Sequence, residues 1–158
     1  MPTQEYKFGS LFTCCDDACD CNSNPDDLPS RIHLPNWLSN NEKHVSTPQK
    51  YRQRMKEIVV TSSSKIRIVF ESPFYHPQIL TYHHQNGFSL SDVVDCIARG
   101  YRMLFDESHR WMNDMVHMGN PRQNVTLFDT TCYRFEDMYL EHISFNDKKN
   151  EVVFCYSS

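Results

Sequence analysis

The sequence predicts an α+β protein: a small, mostly antiparallel sheet with two consecutive helices and a C-terminal β-hairpin, preceded by an irregular N-terminal arm. Three observations carry that expectation. Lys65 to Glu71 alternates, with Ile66, Ile68 and Phe70 on one side and Lys65, Arg67, Val69 and Glu71 on the other, as a half-buried strand does. Residues 89–118 instead carry apolar residues at helical spacing. Glu151 to Tyr156 returns to alternation after the polar run Asn146-Asp147-Lys148-Lys149-Asn150, which suits a hairpin loop.

The elements follow in chain order. Residues 1–50 read as an arm, with Pro2, Pro25, Pro29, Pro35 and Pro48 among many Asn, Asp and Ser and no apolar period. Residues 51–158 read as the single folded domain. Inside the arm, Ile32-His33-Leu34-Pro35-Asn36-Trp37-Leu38 is an apolar island. Its Trp37 and Leu38 favour burial, either back on the domain or on a partner. Tyr51 to Glu57 is basic, and Ile58-Val59-Val60 begins the domain. Gln78 to His84 reads as a second strand, closed by an Asn86-Gly87 turn. Ser89 and Asp92 form a capping box. Val93, Val94, Ile97, Tyr101, Leu104 and Phe105 then make one helical face. Gly100 interrupts that helix, a residue that costs ~1 kcal/mol relative to alanine in a helix interior. Asp106 to Met118 reads as the second helix, with a stripe of Trp111, Met112, Met115 and Val116, stopped by Gly119 and Pro121. Val125 to Phe128 reads as a short strand, and Tyr139 to Phe145 as the first arm of the hairpin.

Composition narrows the function classes. The net charge is −4, which argues against bulk electrostatic attraction to nucleic acid or an anionic membrane. The basic stretch Lys50, Arg52, Arg54 and Lys56 lacks an aromatic platform or a glycine loop, so nucleic acid is not the expected partner. No window approaches the ~18 apolar residues of a membrane span, and residues 1–10 hold Glu5 and Lys7 without an apolar core. The expectation is a soluble intracellular protein, cytoplasmic or nuclear.

Chemistry-bearing residues fall into three groups. Cys14, Cys15, Cys19 and Cys21 crowd into eight positions. Thiolates bind zinc, and Cys15-x3-Cys19 is an acceptable half-site, which Cys21 and His33 would complete. Against this, zinc knuckles come from two separate places in a chain, and Asp16, Asp17, Asp20 and Asp26 disfavour thiolates here. Asp20, Asn22, Asn24 and Asp26 imitate a calcium loop, but Pro25 replaces its glycine and Arg31 its closing glutamate. The third group is His83, His142 and Cys132, the one set from which a small hydrolase or transferase site could be assembled. No nucleophile elbow, P-loop or H-E-x-x-H helix accompanies it. The expectation is a non-enzymatic protein-interaction or structural module, with Trp37, Leu38, Trp111, Met112 and Met115 as partner-binding residues and no cofactor other than zinc at the cysteines. Self-association or lattice contacts would suit such a module.

Lys65-Ile66-Arg67-Ile68-Val69, Ser72-Pro73, and Asn86-Gly87-Phe88-Ser89-Leu90-Ser91-Asp92-Val93-Val94-Asp95-Cys96-Ile97 together resemble an uncharacterised domain widespread in basidiomycete fungi, with similar proteins in giant DNA viruses. Phe135-Glu136-Asp137-Met138-Tyr139-Leu140-Glu141 with the terminal Ser157-Ser158 resembles the viral forms. The resemblance spans about residues 57–158. It implies an α+β domain, no known activity and no catalytic residue to carry over, with a virion-associated or host-interacting role as the corresponding expectation.

Overall fold

The alternation of Lys65 to Phe70 places a strand at the centre of the fold, and the rest assembles around its buried face. The computed structural model describes residues 3–7, 31–39, 49–71, 74, 76–117 and 134–157. Its elements are β1 (Gln4–Lys7), β2 (Ile32–His33), α1 (Leu34–Leu38), α2 (Gln49–Glu57), β3 (Val59–Thr61), β4 (Lys65–Phe70), β5 (Gln78–His83), β6 (Phe88–Ser89), α3 (Leu90–His117), β7 (Tyr139–Asn146) and β8 (Glu151–Ser157). The main sheet runs β1-β7-β8-β4-β5, with β2 also on β7. Among the described strand pairs of this sheet, β4–β8 alone is parallel. The α+β class, the mostly antiparallel sheet and the C-terminal hairpin are as the sequence predicts.

One sheet face is apolar. Ile66, Ile68, Phe70, Leu140, Ile143, Phe145 and Val152 are buried on it, with Leu80, Tyr82, Phe154 and Tyr156 packed alongside. The amphipathic face of α3 covers this surface, burying Val93, Val94, Ile97, Tyr101, Leu104 and Phe105. Tyr101 sits edge-on to Phe70, Phe154 and Tyr156 with ring centroids 5.0, 5.4 and 5.6 Å away, a geometry that adds about 0.5–1.5 kcal/mol per pair beyond area burial.

The helix start follows the sequence signal. The Ser89 N–H and hydroxyl both donate to Asp92 Oδ2 (2.8 and 2.7 Å), and the Asp92 N–H donates to Ser89 Oγ at 3.2 Å. The expected break into two helices is absent: α3 is one helix of 28 residues. Arg102 and Asp106 form an i,i+4 pair at 3.6 Å across the expected junction, so nothing in that stretch stops the helix.

Two pieces of the stretch read as an irregular arm are instead part of the fold. β1 pairs with β7, Gln4 opposite Phe145 through Lys7 opposite His142, and β2 pairs with the start of β7. Ile32 and Leu34 are fully buried and Trp37 is only 5% exposed. Arg52 of α2 fixes Trp37 from outside: its guanidinium lies 4.2 Å from the ring centroid and donates to the Trp37 carbonyl at 3.1 Å. The basic stretch is therefore partly engaged inside the protein, with Arg54 also 3.7 Å from Glu57.

Two local features set the faces of the strands. Gly87 has φ +79° and closes the turn into the small β3–β6 sheet. The β7–β8 register shifts between Leu140 and His142, so Glu141 is an extra residue in β7. A bulge of this kind reverses the alternation. It puts His142 on the outer face, opposite Cys155, whereas uninterrupted alternation would place His142 on the same face as Leu140.

Candidate functional site

Two arrangements on the sheet could carry function, and their geometry separates them. The first is a row on the outer face of β1, β7 and β8. Cys155 is exposed and lies directly across from His142, where Cβ atoms stand about 4.5–5.5 Å apart. His142 Nε2 is 3.9 Å from Glu5 Oε2, an ion-pair distance once the imidazole is protonated, and too long for a hydrogen bond. A carboxylate, an imidazole and a thiol thus stand side by side. No donor pair that would stabilise an oxyanion accompanies them among the described contacts, so the row lacks half of a nucleophilic site.

The sequence grouped His142 with His83 and Cys132. His83 is on β5, with β4 and β8 between it and β7, a separation of roughly 14 Å from three strand spacings. His83 and His142 do not share a site, and Cys132 lies outside the described residues. The other described thiol, Cys96, is half-buried, and its pKa is pushed up to about 12, by burial first and by Asp95 and Asp92 next. Its thiolate is scarce at neutral pH, which makes it a poor nucleophile.

Of the candidate zinc ligands, Cys14, Cys15, Cys19 and Cys21 lie outside the described residues, which leaves His33. His33 Nε2 donates to the Glu136 carbonyl at 2.7 Å, so that nitrogen carries the ring proton. The ring lies 4.7 Å from Tyr139, which Arg31 flanks at 4.2 Å. Only Nδ1 of His33 would remain for an ion, and it is buried without a hydrogen-bond partner. Among the described residues no three His, Cys, Asp or Glu side chains converge as metal ligands do.

Of the residues expected to meet a partner, Trp37 is in the core and Leu38 is partly buried against it. Trp111, Met112 and Met115 fall within α3, and their side chains lie outside the described set.

The second arrangement is the edge of β5, and the sequence reading did not single it out. The register pairs Lys65 with His83 through Phe70 with Gln78 without a shift. One step beyond it, the His84 N–H donates to the Ser64 carbonyl at 2.9 Å. Hydrogen-bonded pairs alternate along an antiparallel ladder. The pairs 66/82, 68/80 and 70/78 are therefore bonded, and Ile79, Thr81 and His83 turn their peptide groups away from β4. The same rule turns the Arg67 N–H toward β8, and it donates to the Asn150 carbonyl at 2.8 Å. Among the described residues no strand lies on the far side of β5.

The side chains match this exposure. Burial alternates along β5, with Ile79, Thr81 and His83 the exposed members. Ile79 is 47% exposed. On the helix above, Cys96, Gly100 and Met103 share one stripe. The Tyr82 hydroxyl donates to the Cys96 carbonyl at 3.0 Å, and Gly100 faces Leu80 and Tyr82. Met103, next on that stripe and 43% exposed, falls on the side of α3 that faces β5. Ile79 and Met103 are two of the three exposed large hydrophobics among the described residues, so apolar surface collects on both sides of this edge.

Among the described residues no helix is long and apolar enough to cross a membrane. No protein-family model matches the chain, and neither the curated proteins nor the solved structures hold a match to it.

Proposed function

We propose that this protein is a non-enzymatic interaction module that takes an extended segment of a protein partner along the edge of β5. The observation that carries the reading is the set of outward-turned peptide groups at Ile79, Thr81 and His83. Edge strands are a hazard that proteins guard with lysine, proline, bulges or a covering element. β5 holds no lysine and no proline, and its pairing with β4 has no bulge. Among the described residues no element covers this edge, and an edge of this length is the surface that strand addition uses, with main-chain bonds supplying affinity and alternate side chains supplying selectivity. A host-interacting or virion-associated role, which the resemblance to a domain of fungi and giant viruses implies, belongs to the same proposal.

Two substitutions test the reading. Ile79→Lys installs a guard on an exposed side chain. Thr81→Pro removes an outward N–H, a change that edge strands tolerate. Both variants are expected to keep the far-ultraviolet circular dichroism of the parent and to lose about tenfold or more in affinity for an extended peptide, measured by fluorescence anisotropy. Parent-like binding by both folded variants would remove β5 as the binding edge.

A further inference from the structure

The charges and apolar groups beside the β5 edge describe the segment it would accept. On the outer face His83 and Lys65 are directly opposite each other, and both are exposed. Arg67, one row along, is 3.8 Å from Glu151, so its charge already has a local counterion. Glu71 is exposed at the other end, beyond Phe70. The His83 end of the edge is thus basic and the Ile79 end apolar, with Thr81 between them. On the inner side, Leu80 and Tyr82 are partly buried and offer apolar contact, with the exposed Met103 on the adjoining helix stripe.

We infer that the β5 edge selects an antiparallel extended segment with a carboxylate opposite His83, a small polar residue opposite Thr81 and an apolar residue opposite Ile79, with apolar residues at the two positions between. The inference rests on the reading of β5 as an interaction edge. Three features of this edge specify it. Lys65, directly opposite His83, carries the positive charge at this end, and an unlike charge set near it on the same sheet face is favourable where a like one is not. Lys65 stands two strand spacings, about 9.5 Å, from the added strand, and its long side chain reaches toward a carboxylate set opposite His83. The exposed Ile79 and Met103 give apolar residues on both faces of the added strand a surface to cover. Antiparallel addition is favoured because antiparallel pairs are slightly more stable than parallel ones.

The test uses the full chain and two capped heptapeptides, Ser-Glu-Val-Thr-Ile-Val-Ser and its charge-reversed partner Ser-Lys-Val-Thr-Ile-Val-Ser. The glutamate peptide is expected to bind about tenfold more tightly than the lysine peptide at low salt, and added salt should narrow the gap. Lys65→Glu, on an exposed side chain, should abolish or invert the preference. Equal binding of both peptides, or tighter binding of the lysine peptide, overturns the inferred chemistry and leaves the edge reading standing. Binding of neither peptide by a monomer overturns both. A concentration-dependent dimer in which the Ile79, Thr81 and His83 amides become protected makes a second copy the occupant. That result also overturns the inferred partner while keeping the edge.

Discussion

Gly87→Ala is expected to destabilise the protein by at least about 3 kcal/mol, among the larger effects of single substitutions. Gly87 has φ +79°, a region that costs a residue with a side chain about 1–2 kcal/mol. Space adds to conformation. A Cβ there would run into the Thr61 carbonyl oxygen and lie 2.8 Å from Ser62 Cα. Both are backbone atoms and cannot rotate aside. The turn also holds the His84 imidazole, whose Nδ1 is 2.7 Å from the Gly87 carbonyl oxygen. β3 and β6 would have to separate, and β6 leads directly into α3. Urea unfolding monitored by circular dichroism measures the loss. A midpoint unchanged from the parent would show that the turn is not held as described.

Gly100→Ala separates two physical arguments by sign. Helix propensity alone favours alanine by ~1 kcal/mol. The packing opposes it, because a Cβ would lie 2.5 Å from Phe70 Cζ, 2.6 Å from the Tyr82 hydroxyl oxygen and 3.1 Å from Leu80 Cδ1. Phe70 is fully buried and has no room to retreat, and the Tyr82 hydroxyl is tied to Cys96. Overpacking of this kind costs about 1–3 kcal/mol. The net expectation is destabilisation of about 1–2 kcal/mol, read from the same unfolding curves. A stabilised Gly100→Ala variant would mean that α3 stands farther from β4 and β5. The glycine that looks like a flaw in the helix sequence is thus the residue that lets α3 sit close on the sheet.

These two glycines also show what the sequence makes legible. The Asn86-Gly87 turn, the Ser89–Asp92 capping box, the alternation of β4 and the closing hairpin each depend on neighbours within a few residues, and each was readable. β1 and β2 were not. They have four and two residues, too few for a period to emerge, and their partner β7 lies more than a hundred positions away in the chain. The helix reads as two because Gly100 and the charged run from Asp106 look like punctuation when the sheet beneath is out of view.

The site was less legible than the fold. His142 is a candidate from the sequence, but its pairing with Cys155 depends on the bulge at Glu141, which the residue types do not announce. The β5 segment reads as a strand from its sequence, yet its role depends on sheet order. Only when β4 lies between β8 and β5 do the peptide groups of Ile79, Thr81 and His83 turn outward. By residue type Trp37 favours burial, and the sequence leaves open whether on the domain or on a partner. The island around it and Arg52 of α2 place it in the core.

Hydrogen exchange resolved at single amides along β5, recorded at the lowest workable protein concentration, tests the central claim most directly. Leu80 and Tyr82 donate toward β4 and should be protected, whereas Ile79, Thr81 and His83 should exchange far faster, giving a period of two along one strand. Equal protection of Ile79, Thr81 and His83 with Leu80 and Tyr82 in a monomer would contradict the account, because the edge would then already be covered by the chain itself.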